Sequence, residues 1–311
     1  MKETTQKQIY PALLSENLWV LGNYHFNLYL VKGNNASALM EVGISAIADE
    51  VIAQLESLDI SPSYLVVSHP HTDHVTGLEG LHRRFPDAVT VAGEGAREFA
   101  THPKALNVMI KEDRFMAEFL SSNGIRPGRA PIENFSFPEN HIAVKDCLEI
   151  DLGGITLRCI KVKGHSPGNL IVHIPETGVL MSSDSLGFHF PGRCFFPVFF
   201  TGYADYLATL AYMKSLSPAM VCPAHQGPIT GTDVQKAFRD SRQAALDVHA
   251  AIIREQKNRD TIASELFTAF YKDEFTIYSE ENIRNCIQLL IRRSLECQTE
   301  SLTEQSAIIS I

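Results

Sequence analysis

His69, His71, Asp73 and His74 form an H-x-H-x-D-H run in the segment SHPHTDH, directly behind the short apolar stretch Tyr64 to Val67. Borderline-soft divalent metals favour imidazole, and one carboxylate among histidines holds a second cation without excess negative charge. Residues at i and i+2 of an extended segment point the same way, while Asp73 and His74 on the following turn reach a second point a few ångströms off. One loop can therefore serve two metal ions. Burying four such polar groups behind a strand with nothing to bind them would be costly.

A single loop supplies too few ligands for two complete sites, so partners are expected downstream, at strand ends flanked by Gly or Pro. Three segments qualify. His165 lies in KGHSPGN, 91 residues past His74; Asp184 lies in LMSSDSLG, 19 further; His225 lies in VCPAHQGP, 41 further. The Ser-Ser-Asp-Ser around Asp184 is also ordinary turn chemistry. His25, His82, His102, His141, His173 and His249 have no ligand-like surroundings. His189, five residues past Asp184, is read as a substrate contact.

The elements that must position these groups alternate strand and helix patterns. Strands are expected at Leu18 to Leu21, Phe26 to Val31 and Ala38 to Val42, separated by Gly-Asn turn signals. A helix from about Ile44 to Leu58 places Ile47, Val51, Ile52 and Leu55 on one face. Tyr64 to Val67 has the continuous apolar character of a strand buried on both faces. Further helices are expected over Gly77 to Phe85 and Pro103 to Ser121, and a second strand set over Ile142 to Ile174. Leu180-Met181, a helix from Tyr203 to Leu216 and the strand Met220 to Cys222 complete an α/β layered fold. Beyond Gly231 there is neither strand signal nor proline. Val234, Phe238, Ala245, Val248 and Ile252 share one helical face, and Ile283, Ile287, Leu290 and Ile291 another, which predicts an all-helical extension over 231–311.

Taken in order, H-x-H-x-D-H, GHSPG, Ser183-Asp184 and PAHQG resemble the metallo-β-lactamase superfamily over roughly residues 15–230. The resemblance implies a four-layer αβ/βα sandwich as a catalytic domain, residues 1–230, capped by the helical extension. It also implies a ligand set: His69, His71 and His165 on one metal, Asp73, His74 and His225 on the other, and Asp184 bridging. Zinc is the expected pair of ions, and iron or manganese fits the same donors. A water between two such ions is acidified from about 15.7 toward about 7 and can attack a carbonyl as hydroxide, with Asp73 orienting it and shuttling its proton. Glu41, in SALMEVGIS, fills a strand-end position where the superfamily usually carries Asp, and is expected to support a ligand rather than be one. In layout the chain is similar to the thioesterase branch that includes glyoxalase II and the quinolone signal response protein.

Between Asp184 and His225, SLGFHFPGRCFFPVFFTGY packs Phe188, Phe190, Phe195, Phe196, Phe199 and Phe200 into thirteen residues. Some must fill the core; beside a metal site they also suit an apolar acyl pocket. Arg193, Phe195 and Phe196 fall near where glyoxalase II binds glutathione, but the tyrosine of that segment is missing, which favours a bulkier thioester or ester as the small-molecule substrate. A lactonase, or a metal-bound regulatory protein with residual esterase activity, uses the same donor set. The formal net charge of −9, from 36 acidic against 27 basic residues, argues against nucleic acid. No stretch of about 18 apolar residues predicts a membrane span. Six scattered cysteines without a C-x-x-C and a polar N-terminus point to reduced thiols and a cytoplasmic protein. Oligomeric state has no signal in the sequence; a homodimer is only what the superfamily resemblance implies.

Overall fold

The computed structural model describes residues 9–255 and 258–309, so most of the polar N-terminal segment lies outside the described residues. The first sheet runs in chain order: β1 (Ala12–Ser15), β2 (Leu18–Gly22), β3 (Asn27–Lys32), β4 (Ser37–Met40), β5 (Tyr64–Val67), β6 (Val89–Gly93) and β7 (Ile142–Val144). β1 to β4 form an antiparallel meander, and β4 to β7 pair in parallel. Parallel neighbours require crossovers, and helices supply them. α1 (Ala48–Ser57) joins β4 to β5; α2 (Thr72–Val75) and α3 (Leu78–Arg84) join β5 to β6; α4 (Ala96–Ala100) and α5 (Pro103–Ser122) precede β7.

The second sheet contains β8 (Cys147–Asp151), β9 (Thr156–Lys161), β10 (Leu170–Ile174) and β11 (Val179–Met181), followed after an excursion by β14 (Met220–Cys222) and β15 (Ile229–Thr230). In the excursion, β12 (Phe188–Phe190) and β13 (Cys194–Phe196) make a separate hairpin, and α6 (Tyr203–Ser215) carries the chain back so that β14 lies parallel to β11. Strand alternation builds two cores. Along β3, Leu28 and Leu30 face one side while Tyr29 and Val31 face the other. Tyr29, Met40, Val66 and Val91 meet Cys159, Val172, Met181 and Cys222 between the sheets. On the outer faces, Leu28, Leu30 and Leu65 pack with Val51, Leu55 and Leu81 of α1 and α3, and Ile171, Leu180 and Val221 with Leu210 and Met213 of α6. The result is helix, sheet, sheet, helix.

Two placements differ from the sequence pattern. Ile142–Val144, expected with the second strand set, closes the first sheet against β6. Phe188 to Phe200, to which the sequence pattern assigns no strand, contains the β12–β13 hairpin. The chain then continues through α7 (Thr232–Arg254), α8 (Arg259–Phe270), a 3-10 turn at Asp273–Ile277 and α9 (Glu280–Ile309). Ile283, Ile287, Leu290 and Ile291 are buried, and together with Phe275 they belong to the same apolar cluster as the outer core. No described helix is long and apolar enough to cross a membrane. Cys159 and Cys222 are buried and Cys147 and Cys194 exposed, and none of these four forms a disulfide.

Candidate metal centre

Each candidate ligand follows the C-terminal end of a strand. His69 and His71 leave β5, and Asp73 and His74 occupy the single turn of α2; His165 follows β9, Asp184 follows β11 and His225 follows β14. Parallel pairing of β4 with β5 and of β11 with β14 puts these ends on one side of the sandwich, the usual place for a ligand cleft in such sheets. Gly164 shows why the local sequence matters. It has φ +103, and a Cβ there would come within 2.4 Å of the Tyr206 backbone, so only glycine lets the His165 loop lie against α6.

The structure brings all seven residues together. The ligand atoms of His69, His71 and His165 lie within 4.8 Å of one another, and so do those of Asp73, His74 and His225. Asp184 lies between the two triads: its Oδ2 is 4.0 Å from His69 Nε2, 3.7 Å from His165 Nε2 and 3.4 Å from His74 Nε2, while its Oδ1 is 3.5 Å from His225 Nε2. Asp73 Oδ2 is 3.3 Å from His74 Nε2 and 3.4 Å from His225 Nε2. Donors of a tetrahedral shell with ligand distances of about 2.0–2.2 Å stand about 3.3–3.6 Å apart. The edges around Asp73, His74, His225 and Asp184 match that spacing. His74 Nε2 is buried and has no hydrogen-bond partner, an orphan that a cation would satisfy. The donor set fits a pair of divalent metal ions.

The far ring nitrogens are held by the fold. His165 Nδ1 is 2.9 Å from the Val198 carbonyl and His225 Nδ1 2.6 Å from the His25 carbonyl, so each donates there and leaves Nε2 with its lone pair inward. His74 Nδ1 meets Glu41 Oε2 at 2.9 Å. The Ser68 hydroxyl donates to the same Glu41 oxygen at 2.8 Å, which leaves it to accept from His69 Nδ1 at 3.0 Å; Ser183 in turn donates to Ser68 at 3.0 Å. Glu41 thus supports one imidazole directly and another through Ser68. Glu41 and Ser183 both have left-handed backbone, at φ 71 and 46.

Electrostatics divide the cluster. Burial, reinforced by the neighbouring imidazoles, holds His69 well below the ordinary histidine value, and burial followed by His165 brings His71 to about 3. Burial also lowers His165. These three are neutral donors. For His74 burial acts in the opposite direction, but the carboxylates of Asp73, Asp184 and Glu41 outweigh it and raise the imidazole well above its usual range. Asp73 and Asp184 are depressed in return, against their own burial, chiefly by His74. His225 is raised to about 9 by hydrogen bonds and charge from Asp184 and Asp73, again against burial.

A cavity of about 270 Å³ opens beside the cluster. Its floor includes His71, Asp73 and Asp184, and its walls Phe99, Met109, Phe188, Phe196, Phe200 and Ile283. Among the described residues lining it there is no Lys or Arg. Hairpin alternation decides which of the expected substrate contacts reach it. Phe188 pairs with Phe196 on the inward face, whereas His189 pairs with Phe195 on the other. Phe196 therefore lines the cavity; His189, Arg193 and Phe195 line a different one, with Pro228 and Lys236. Arg193 is bound to Asp273 at 2.8 Å and Glu274 at 3.0 Å and lies over the Phe190 ring, so it fastens the hairpin to the C-terminal helices. Sequence reasoning missed the carbonyls of His25 and Val198, the hydroxyls of Ser68 and Ser183, and Tyr278, whose hydroxyl donates to Asp73 Oδ2 at 2.7 Å. Backbone carbonyls carry no sequence signal, and Tyr278 is 205 residues from Asp73.

Against known proteins, the family profile of the Metallo-beta-lactamase superfamily matches residues 24–225. The chain is 28% identical over 186 residues to the coenzyme F420H(2) oxidase of Methanothermobacter marburgensis, a match covering 55% of this chain and 39% of that protein. It thus spans well under half the length of that relative. It is 26% identical over 225 residues to a hydroxyacylglutathione hydrolase of Ruegeria pomeroyi, covering 70% of each. Among solved structures, a metallo-beta-lactamase family protein from Thermus thermophilus superposes with a TM-score of 0.62 at 19% identity, covering 90% of this chain and 94% of that one.

Proposed function

The chain belongs to the metallo-beta-lactamase superfamily, and from its donor set and cavity we propose that it is a dinuclear-metal hydrolase of thioesters or esters with an apolar acyl group. The observation that carries this reading is the pair of donor triads sharing Asp184 at the floor of an apolar cavity. His69, His71 and His165 would hold one ion and Asp73, His74 and His225 the other. Two divalent ions, zinc foremost, supply Lewis acidity for the scissile carbonyl and an acidified water when bound.

The chain's own groups do the rest. The Asp73 carboxylate orients the water and takes up its proton. Glu41, the Val198 carbonyl and the His25 carbonyl keep His74, His165 and His225 in the tautomer that leaves Nε2 free. Phe188, Phe196 and Phe200 receive the acyl group and exclude bulk water from the centre. The described helices after Gly231 act as a cap, since Ile283, Cys286 and Leu289 form part of the cavity wall. The cavity's acidic groups, with no Lys or Arg among the described residues lining it, disfavour a glutathione carboxylate within it, which argues for an uncharged acyl arm.

The test is a series of acyl thioesters and aryl esters of graded chain length, assayed with the zinc-loaded and the chelated protein. Hydrolysis that needs metal and favours medium-length chains over acetyl is expected. Oxidation of coenzyme F420H(2), combined with no ester turnover, would overturn the proposal and align the chain with its oxidase relative.

A further inference from the structure

One side chain from the C-terminal helices reaches the cluster itself. Tyr278 sits in the extended link between the Asp273–Ile277 turn and α9 and is 7% exposed. Its hydroxyl donates to Asp73 Oδ2 at 2.7 Å and lies 3.4 Å from His225 Nε2. Its ring packs edge-on against Phe188 and Phe275 and forms part of the cavity wall.

The backbone that carries this phenol is held from two sides. Glu112 of α5 accepts from the Ser279 amide at 3.2 Å and from the Ser279 hydroxyl, and Tyr271 Oη donates to the Tyr278 carbonyl at 3.1 Å. The Ser279 hydroxyl also accepts from the Asn282 amide at 3.1 Å, capping the first turn of α9. Glu112 lies in the sandwich part of the chain, so the clamp fixes the start of α9 relative to the metal-ligand loop.

We propose that Tyr278 is a positioning residue of the hydrolytic centre: its O–H holds Asp73 Oδ2 beside His74 and His225, and the Glu112–Ser279 clamp delivers it there. This rests on reading the cluster as a two-metal hydrolytic centre. A carboxylate oxygen that accepts a strong hydrogen bond while facing a cation is confined to one rotamer; without the donor it can swing away. Loss of such a supporting partner typically weakens metal binding or activity by about 10–100-fold.

Tyr278→Phe keeps the ring and removes only the hydroxyl. In the full chain, zinc affinity is read by competition with a chromophoric chelator, and kcat and KM with an acyl ester that the wild type hydrolyses. The expected result is that one of two zinc ions binds about 10–100-fold more weakly, kcat falls by a similar factor, and KM is unchanged. Ser279→Ala, which cuts the clamp but leaves the phenol, should shift both readouts the same way by less. The double variant should be no worse than Tyr278→Phe alone, because both changes act through one hydroxyl. Wild-type zinc affinity and kcat in Tyr278→Phe would overturn the proposal, as would additive losses in the double variant. Failure of the wild type itself to bind two ions or to turn over esters would instead remove the underlying reading.

Discussion

Replacing Glu41 isolates what a buried carboxylate does for a centre it does not itself enter. The residue is 2% exposed and its carboxylate accepts from His74 Nδ1 and Ser68 Oγ at 2.9 and 2.8 Å. Glu41→Ala leaves a buried imidazole N–H without a partner, at a cost of about 1–3 kcal/mol. Metal affinity should fall by about 10–100-fold, which is about 1.4–2.8 kcal/mol. The backbone adds a second, separable effect. At φ 71 a residue with a Cβ carries left-handed strain of about 1–2 kcal/mol, which glycine lacks. Glycine's larger unfolded-state entropy offsets about 0.4–1 kcal/mol of that gain. Glu41→Gly should therefore unfold in urea at least as late as Glu41→Ala, while both lose zinc affinity equally against a competing chelator. Wild-type affinity in both variants would refute the supporting role. An affinity lost in alanine and recovered in glycine would show that backbone conformation, not the carboxylate, is what matters.

Asp184→Ala removes the residue between the two triads and should lower metal content per chain and abolish ester hydrolysis; full occupancy by elemental analysis would remove the bridging role. In the metal-free protein His225 is raised to about 9, so a bound ion must displace its proton. Apparent zinc affinity should climb as pH rises from 6 to 9, the more so because His74 is raised as well, and a flat calorimetric profile over that range would contradict this. Ile287→Ala, at a position 1% exposed in the core shared with α9, should cost about 2–5 kcal/mol in urea unfolding. Truncation after Thr230 would uncover Phe190 and Phe196, which pack on Phe270 and Phe275, and should leave a protein that aggregates unless those phenylalanines are made polar.

The donor residues were legible because chemistry and punctuation coincide at each: a titratable side chain after a β-rich run, with Gly or Pro alongside. Tyr64–Val67 and Met220–Cys222 stand where their apolar runs predict, being buried on nearly every position. Val89–Gly93 gives a weaker pattern because Thr, Ala and Gly dilute it, and its neighbour β7 reveals its sheet only through pairing. Arg193 followed by aromatics looks locally like a ligand-binding segment, yet its partners Asp273 and Glu274 are about eighty residues away and tie it to the helices. A longer separation, 205 residues from Asp73, hides Tyr278. Local patterns mark which residues have chemical potential, whereas their use depends on contacts that only the tertiary fold brings about.

The central claim is a centre that works with two ions, and stoichiometric reconstitution tests it most directly. The metal-free chain would be titrated with zinc while ester hydrolysis and bound metal are recorded together. Activity that rises with added zinc and saturates at two equivalents per chain is the predicted result. Saturation at one equivalent, or hydrolysis that proceeds in the metal-free protein, would contradict it.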